Sequence, residues 1–416
     1  MHRKSGGAKG MVSHGSPLAR SERTPSREGC FPATPTVTLP SIIARGVLVL
    51  MAMACLANAL ASEKTVAAFD WFEYSGKDPS WESGPGTGKY HNPILAGFYP
   101  DPSISRVGDD FYLANSSFAY FPGIPIFHSK DLVNWKLIGH AIHRPEQLNF
   151  DGLDVSAGLW APSIKFHDGK FYMVCTHQYH EENFLVTAEN PAGPWSDPVM
   201  LGFKGCDPSM FFDDDGRVWV VNSDDPEGKP LYKEHKAVRL QEFDPKLNKM
   251  VGPRKVVVNG GVDISKKPRY VEGPHIFKRG GWYYIICAEG GTALGHSEVV
   301  FRSRKVDGPY EPWSENPILT QRDIDPGITN AVTCTGHADF VIGPDDNWWV
   351  VFLACRPYDR AFTPMGRETF MLPVKWTEDG WPTVLSKGER VPLVCDSPKG
   401  ASVKPSEAFP LNGSFT

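Results

Sequence analysis

The chain has 416 residues, a net charge of −5 and 41% hydrophobic residues, enough for a large core. So mild a charge gives no electrostatic reason to expect nucleic acid or an anionic membrane as partner. Forty Gly and 37 Pro, with 12% aromatics, suit strands and turns better than helices.

In chain order, residues 1–46 are rich in Arg, Lys, Ser, Thr and Pro and carry no apolar periodicity. VLVLMAMACLANAL from Val47 is then too short for a comfortable membrane span. Arg45 precedes it and Ala59-Leu60-Ala61 closes it in a small-x-small pattern. Residues 1–61 therefore read as a secretory signal peptide with a long n-region, an uncleaved anchor being the alternative. Export to the periplasm or medium, with no membrane attachment after cleavage, is the expectation. Residues 62–90 read as a polar approach segment.

From His91 onward one pattern recurs: a polar or aromatic residue, a short apolar step, a Gly/Asp turn and an aromatic-rich strand. The copies are YPDPSISRVGDDFYL from Tyr99, LWAPSIKFHDGKFYMV from Leu159, CDPSMFFDDDGRVWVV from Cys206, EGPHIFKRGGWYYII from Glu272 and GHADFVIGPDDNWWVV from Gly336. A unit repeating roughly every 45 to 65 residues, built of strand pairs and tight turns, predicts an all-β, five-bladed propeller over 91–392. The lead positions Asp101, Trp160, Asp207, Glu272 and His337 then converge on the central axis, which becomes the expected active site. The residues after 392 are Pro-, Ser- and Lys-rich and read as a tail. Trp135, Trp195 and Trp313 close outer-strand segments and are expected to pack between blades. Six cysteines follow the leader without a CxxC pair, so zinc has no support. Buried thiols are the expectation; a Cys206–Cys334 bridge stays open.

Asp101 and Asp207 share a D-P-S frame, in which the Pro predicts extended backbone at the carboxylate. Three acids at one axis repel each other, and acids forced together mark chemistry rather than packing. Glycoside hydrolysis needs one protonated and one ionised carboxyl about the scissile bond, and a third carboxylate keeps the acid protonated. Trp160 and the Phe118-Ala119-Tyr120-Phe121 cluster supply faces on which sugars stack.

The chain resembles glycoside hydrolase family 43, the five-bladed β-xylosidases and α-L-arabinofuranosidases. NPILAGFYPDPS, NSSFAYFPGIPIFHSKDLVNW, GLWAPS, CDPSMF, YVEGPHIFK, AEGGT, TGHADF and GRETF carry the resemblance over about three hundred residues, in order. It implies an inverting mechanism with Asp101 as general base, Glu272 as general acid, and Asp207 tuning and orienting its partner. It further implies that Arg367 binds sugar hydroxyls and that Phe118 and Trp160 line the glycone pocket. His337 matches an axial His that in some members holds calcium or water; no cofactor is otherwise implied. The implied substrates are β-1,4-xylo-oligosaccharides, cut at the non-reducing end, or arabinose-bearing saccharides.

GRETFMLPVKW with DGWP after it is similar to the branch that usually continues into a C-terminal β-sandwich walling the site. The chain ends at Thr416, leaving either a truncated sequence or a more open pocket. Three alternatives stand beside the xylosidase reading: arabinofuranosidase as main activity, a carbohydrate-binding propeller without turnover, and a retaining fructan hydrolase.

Overall fold

Two-residue turns set the blades. In the second repeat His167 pairs with Lys170 across Asp168-Gly169, both at positive φ. In the fourth, Arg279 pairs with Trp282 across Gly280-Gly281, again both positive. These mirror-image turns match the strand twist, and Asp-Gly and Gly-Gly reach them at little cost. The computed structural model describes residues 86–178 and 182–401, all within one compact unit, residues 74–416. The expected signal peptide, nearly all of the approach segment and the tail beyond 401 lie outside the described residues.

Five antiparallel sheets follow one another along the chain, each starting at its innermost strand. Those inner strands are Ser103–Val107, Leu159–His167, Cys206–Phe212, Val271–Arg279 and Thr333–Ile342, here the leads of blades I to V. Each packs against the next, and the fifth packs against the first, so the ring closes as a five-bladed propeller. Apolar faces fill the spaces between blades rather than the axis. Phe111 and Leu113 of blade I pack with Phe352 and Phe370 of blade V; Ile126 packs with Met173 of blade II. Val220 and Val174 join blades II and III, and Val221 and Ile285 join III and IV. Trp195 is buried in one such space and its indole donates to Pro191 O, a packing role as expected.

Blade V has three strands, and the N-terminal segment takes its outer edge. Leu95 and Thr369 exchange backbone hydrogen bonds at 3.2 Å, and the Asn92 side chain binds both backbone groups of Met371. Lys89–His91 then pairs with Val394–Asp396. These two short strands form a sheet of their own, in which the segments flanking the blades clasp each other.

Candidate active site

Every inner strand enters the axis through one left-handed residue: Asp101 (φ 51°), Ala161 (43°), Asp207 (55°), Gly273 (57°) and His337 (52°). This corrects two expectations. Asp101 and Asp207 are not extended despite the following Pro: both take left-handed backbone, at Asp207 within a β-bulge between Cys206 and Ser209. Trp160 and Glu272 do not share the lead position; each sits one residue earlier, and Ala161 and Gly273 occupy it. The aligned frames are D-P-S, A-P-S, D-P-S, G-P-H and H-A-D. Such backbone costs on the order of 1–3 kcal/mol per non-Gly residue, and it gathers at sites where aim matters.

The left-handed entries bring the predicted residues together in two groups. Asp101 is 5% exposed, and its Oδ1 accepts from Arg367 Nη1 at 3.0 Å. Its Oδ2 accepts from Ser116 Oγ at 2.6 Å, and His337 Nδ1 lies 3.7 Å from Oδ1. Burial alone would raise this carboxyl, but Arg367, His337 and Ser116 outweigh it and hold Asp101 below the usual carboxylate range. Asp101 is thus ionised at neutral pH.

In the second group, atoms of Cys206, Asp207 and Glu272 lie within 4.8 Å of one another. Asp207 Oδ2 accepts the Gly273 amide at 3.0 Å, while its own amide donates to Thr176 Oγ1 at 3.1 Å. Burial, and then the charges of Asp207 and Asp101, push the Glu272 carboxyl up to about 8. Burial also raises Asp207 itself. The carboxyls on one axis are therefore split: Asp101 ionised, Glu272 protonated at neutral pH.

Gly273 is required where it stands. A Cβ there would meet three atoms of the His337 ring at 3.0 Å, so only glycine lets the imidazole lie against the peptide following Glu272. Gly366, at φ 70°, is similar: a Cβ would come within 2.6 Å of the Phe98 ring.

The aromatic wall forms around Arg367. Its guanidinium lies 5.7 Å from the Phe118 ring centre, Trp160 meets Phe118 edge-on at 6.3 Å, and Phe98 stacks on Phe118 at 5.4 Å. Trp160 Nε1 donates to Ser156 O, which anchors the indole beside Phe118.

Sequence reasoning missed several participants. Ser116, in N-S-S-F, bridges Asp101 to the Ala161 amide and so ties blade I to blade II. Glu298 is wholly buried; one oxygen accepts the amides of His337 and Ala338, fixing the turn that presents the imidazole. His296 lies against Gly336 and donates from Nδ1 to Cys334 O at 2.9 Å. Phe98 was hidden in the same way: only register across distant blades reveals any of them.

The residues suit a protein-held calcium poorly. His337 offers one nitrogen, while both Asp101 oxygens already accept from Ser116 and Arg367. The Cys206–Asp207–Glu272 group mixes a thiol with oxygens, and hard cations select oxygen.

A match to glycosyl hydrolases family 43 spans residues 90–382. The chain belongs to this family. It is 45% identical over 303 residues to the non-reducing end α-L-arabinofuranosidase of Bacteroides ovatus, covering 72% of this chain and 54% of that protein. The xylosidase/arabinosidase of Butyrivibrio fibrisolvens is 46% identical, covering 71% and 56%. This family 43 chain therefore spans about half the length of these curated relatives. Among solved structures, a GH43_12 protein from a capybara gut metagenome superposes with a TM-score of 0.72 at 46% identity, covering 78% of this chain and 60% of that one. The xylan β-1,4-xylosidase of Bacillus halodurans gives 0.67 at 40% identity, covering 76% and 60%.

Proposed function

We propose that this family 43 chain is an inverting glycoside hydrolase releasing xylose from the non-reducing end of β-1,4-xylo-oligosaccharides, with arabinose release from arabinose-bearing saccharides as a second activity. The observation that carries the reading is the split of protonation between Asp101 and Glu272 on one axis. Glu272 donates its proton to the departing glycosidic oxygen. Asp101, ionised, draws a proton from the water that attacks the opposite face of the sugar. Asp207 keeps Glu272 protonated and, through the Gly273 amide, holds its peptide in place. Arg367 binds hydroxyls, and Phe118 and Trp160 stack on the sugar ring.

Xylose and arabinose present similar hydroxyls to one shallow pocket, and the relatives' names include both activities. Arabinofuranosidase as main activity is therefore the second reading. A screen of p-nitrophenyl glycosides with the purified chain separates them: faster turnover of the β-xyloside supports the first, of the α-L-arabinofuranoside the second. No turnover of either supports a binding propeller.

The finer placement, in the branch with a C-terminal β-sandwich, rests on GRETFMLPVKW and on exposed apolar side chains around Gly97 and Phe98, including Tyr120 and Met365. Export rests on the leader pattern alone. A calcium ion at the axis would take most of its ligands from water, and chelation tests it.

A further inference from the structure

Blade V carries two cysteines side by side. Cys355 ends the strand Trp348–Cys355 and pairs with Thr333, the neighbour of Cys334. The register slips between Thr333 and Gly336, and Cys334 takes a left-handed φ of 58°. That irregularity sets Cys334 beside Cys355: the Cys334 thiol lies 3.7 Å from Thr333 Oγ1, which itself donates to the Cys355 carbonyl at 3.4 Å. The exposures differ: Cys355 is 5% exposed and Cys334 half-buried. No other two thiols among the described residues interact in this way.

We propose that Cys334 and Cys355 are a reversible disulfide site, closed by exchange with a small-molecule disulfide of the glutathione type. Cys334 is the attacking thiol. Cys355 beside it, then Thr333 and the Arg367 charge, lower it to about 7 against its burial. Its thiolate attacks one sulfur of the glutathione disulfide, forming a mixed disulfide and releasing one glutathione thiolate. The Cys355 sulfur then attacks the Cys334 sulfur, the second glutathione leaves, and the Cys355 proton passes to it. Two protein thiols become one S–S bond, and one glutathione disulfide becomes two thiols. Cys355 suits the resolving role: its neighbour Cys334 and its burial keep it a thiol until the mixed disulfide forms beside it.

The site stands directly behind the sugar-binding wall. Arg367, the partner of Asp101, acts on both thiols. The Cys334 carbonyl holds His296, whose ring lies against Gly336, next to His337. Closing the bridge removes thiolate charge beside Arg367 and fixes the bulge that presents His337. The bridge itself does not depend on the catalytic reading; only its effect on turnover does.

The test is a non-reducing peptide map of the folded chain after incubation with oxidised glutathione and alkylation of remaining thiols. The expected result is one cross-linked pair carrying Cys334 and Cys355, lighter by two hydrogens and lost on treatment with dithiothreitol. In Cys355→Ser the bridge is absent and glutathione stays on Cys334. Because the wild-type map needs no variant, misfolding of the variant leaves the test intact. Recovery of both cysteines as alkylated thiols, or a bridge from either to another cysteine, overturns the proposal. In the second arm, KM for an aryl xyloside shifts on oxidation and returns on reduction. A complete bridge with unchanged KM overturns the link to the sugar-binding wall and leaves the family 43 reading standing.

Discussion

The amide of Gly273 donates to Asp207 Oδ2 at 3.0 Å, so the peptide that carries Glu272 is gripped by the carboxylate that tunes it. One side chain thereby fixes the peptide after Glu272 and adds, after burial, the largest charge that raises its carboxyl. Replacing it separates the two effects. In Asp207→Asn the charge is gone while an oxygen still accepts from Gly273, so the Glu272 pKa falls. The alkaline limb of kcat/KM should move to lower pH, measured as a full pH profile beside wild type. An unmoved limb would leave Asp207 a purely structural acceptor.

Wild type should show a wide plateau. Glu272 is active when protonated, so its contribution is lost as pH rises through about 8. Asp101 is active when ionised, and its lowered pKa means that form is lost only below the ordinary carboxylate range. A kcat/KM profile with both limbs inside pH 5–7 would contradict the assignments.

Glu272→Gln should lower turnover of natural linkages by on the order of 10²- to 10⁴-fold, the usual range for a positioned acid. Activated aryl glycosides, which need less protonation, should lose less; equal losses would make Glu272 a binding residue. The same variant should gain stability in alkali. A buried acid with a raised folded-state pKa destabilises the fold as pH climbs from the unfolded value, by up to about 1.4 kcal/mol per pH unit. Melting curves at pH 9 should therefore favour the variant, and at pH 5 the difference should shrink.

Arg367→Ala removes a charged hydrogen bond to Asp101 and the cation beside Phe118. KM should rise by on the order of tenfold to a hundredfold, and the acidic limb should move up because Asp101 loses its main countercharge. Arg367→Lys keeps charge but not the planar fork, so it should restore the limb more than KM.

Much of this was legible in the sequence because a propeller repeats its turns. The D-G and G-G signals at 168–169 and 280–281 mark hairpins with a fixed backbone requirement, and the aromatic strands after them cannot hide. Asp101, Asp207, Glu272, Arg367, Phe118, Trp160 and His337 all come to one place. The frame was misread by one residue at Trp160 and Glu272 because apolar pattern does not show a bulge. Ser116, Glu298 and His296 were invisible for another reason. A serine, a buried acid and a histidine carry no local signal, and their partners lie 45, 40 and 38 residues away.

EDTA treatment should leave activity and melting temperature unchanged, since His337 gathers too few free oxygens to hold a calcium ion. Loss of activity that calcium restores would make His337 a ligand through water.

In the proposed mechanism water attacks opposite the leaving group, with Asp101 as base. Proton NMR of the first sugar released from a β-xyloside reads this directly. Inversion predicts that the α-anomer appears first and the β-anomer only later, by mutarotation. Initial appearance of the β-anomer would mean retention with a covalent intermediate, and would contradict the roles given to Asp101 and Glu272.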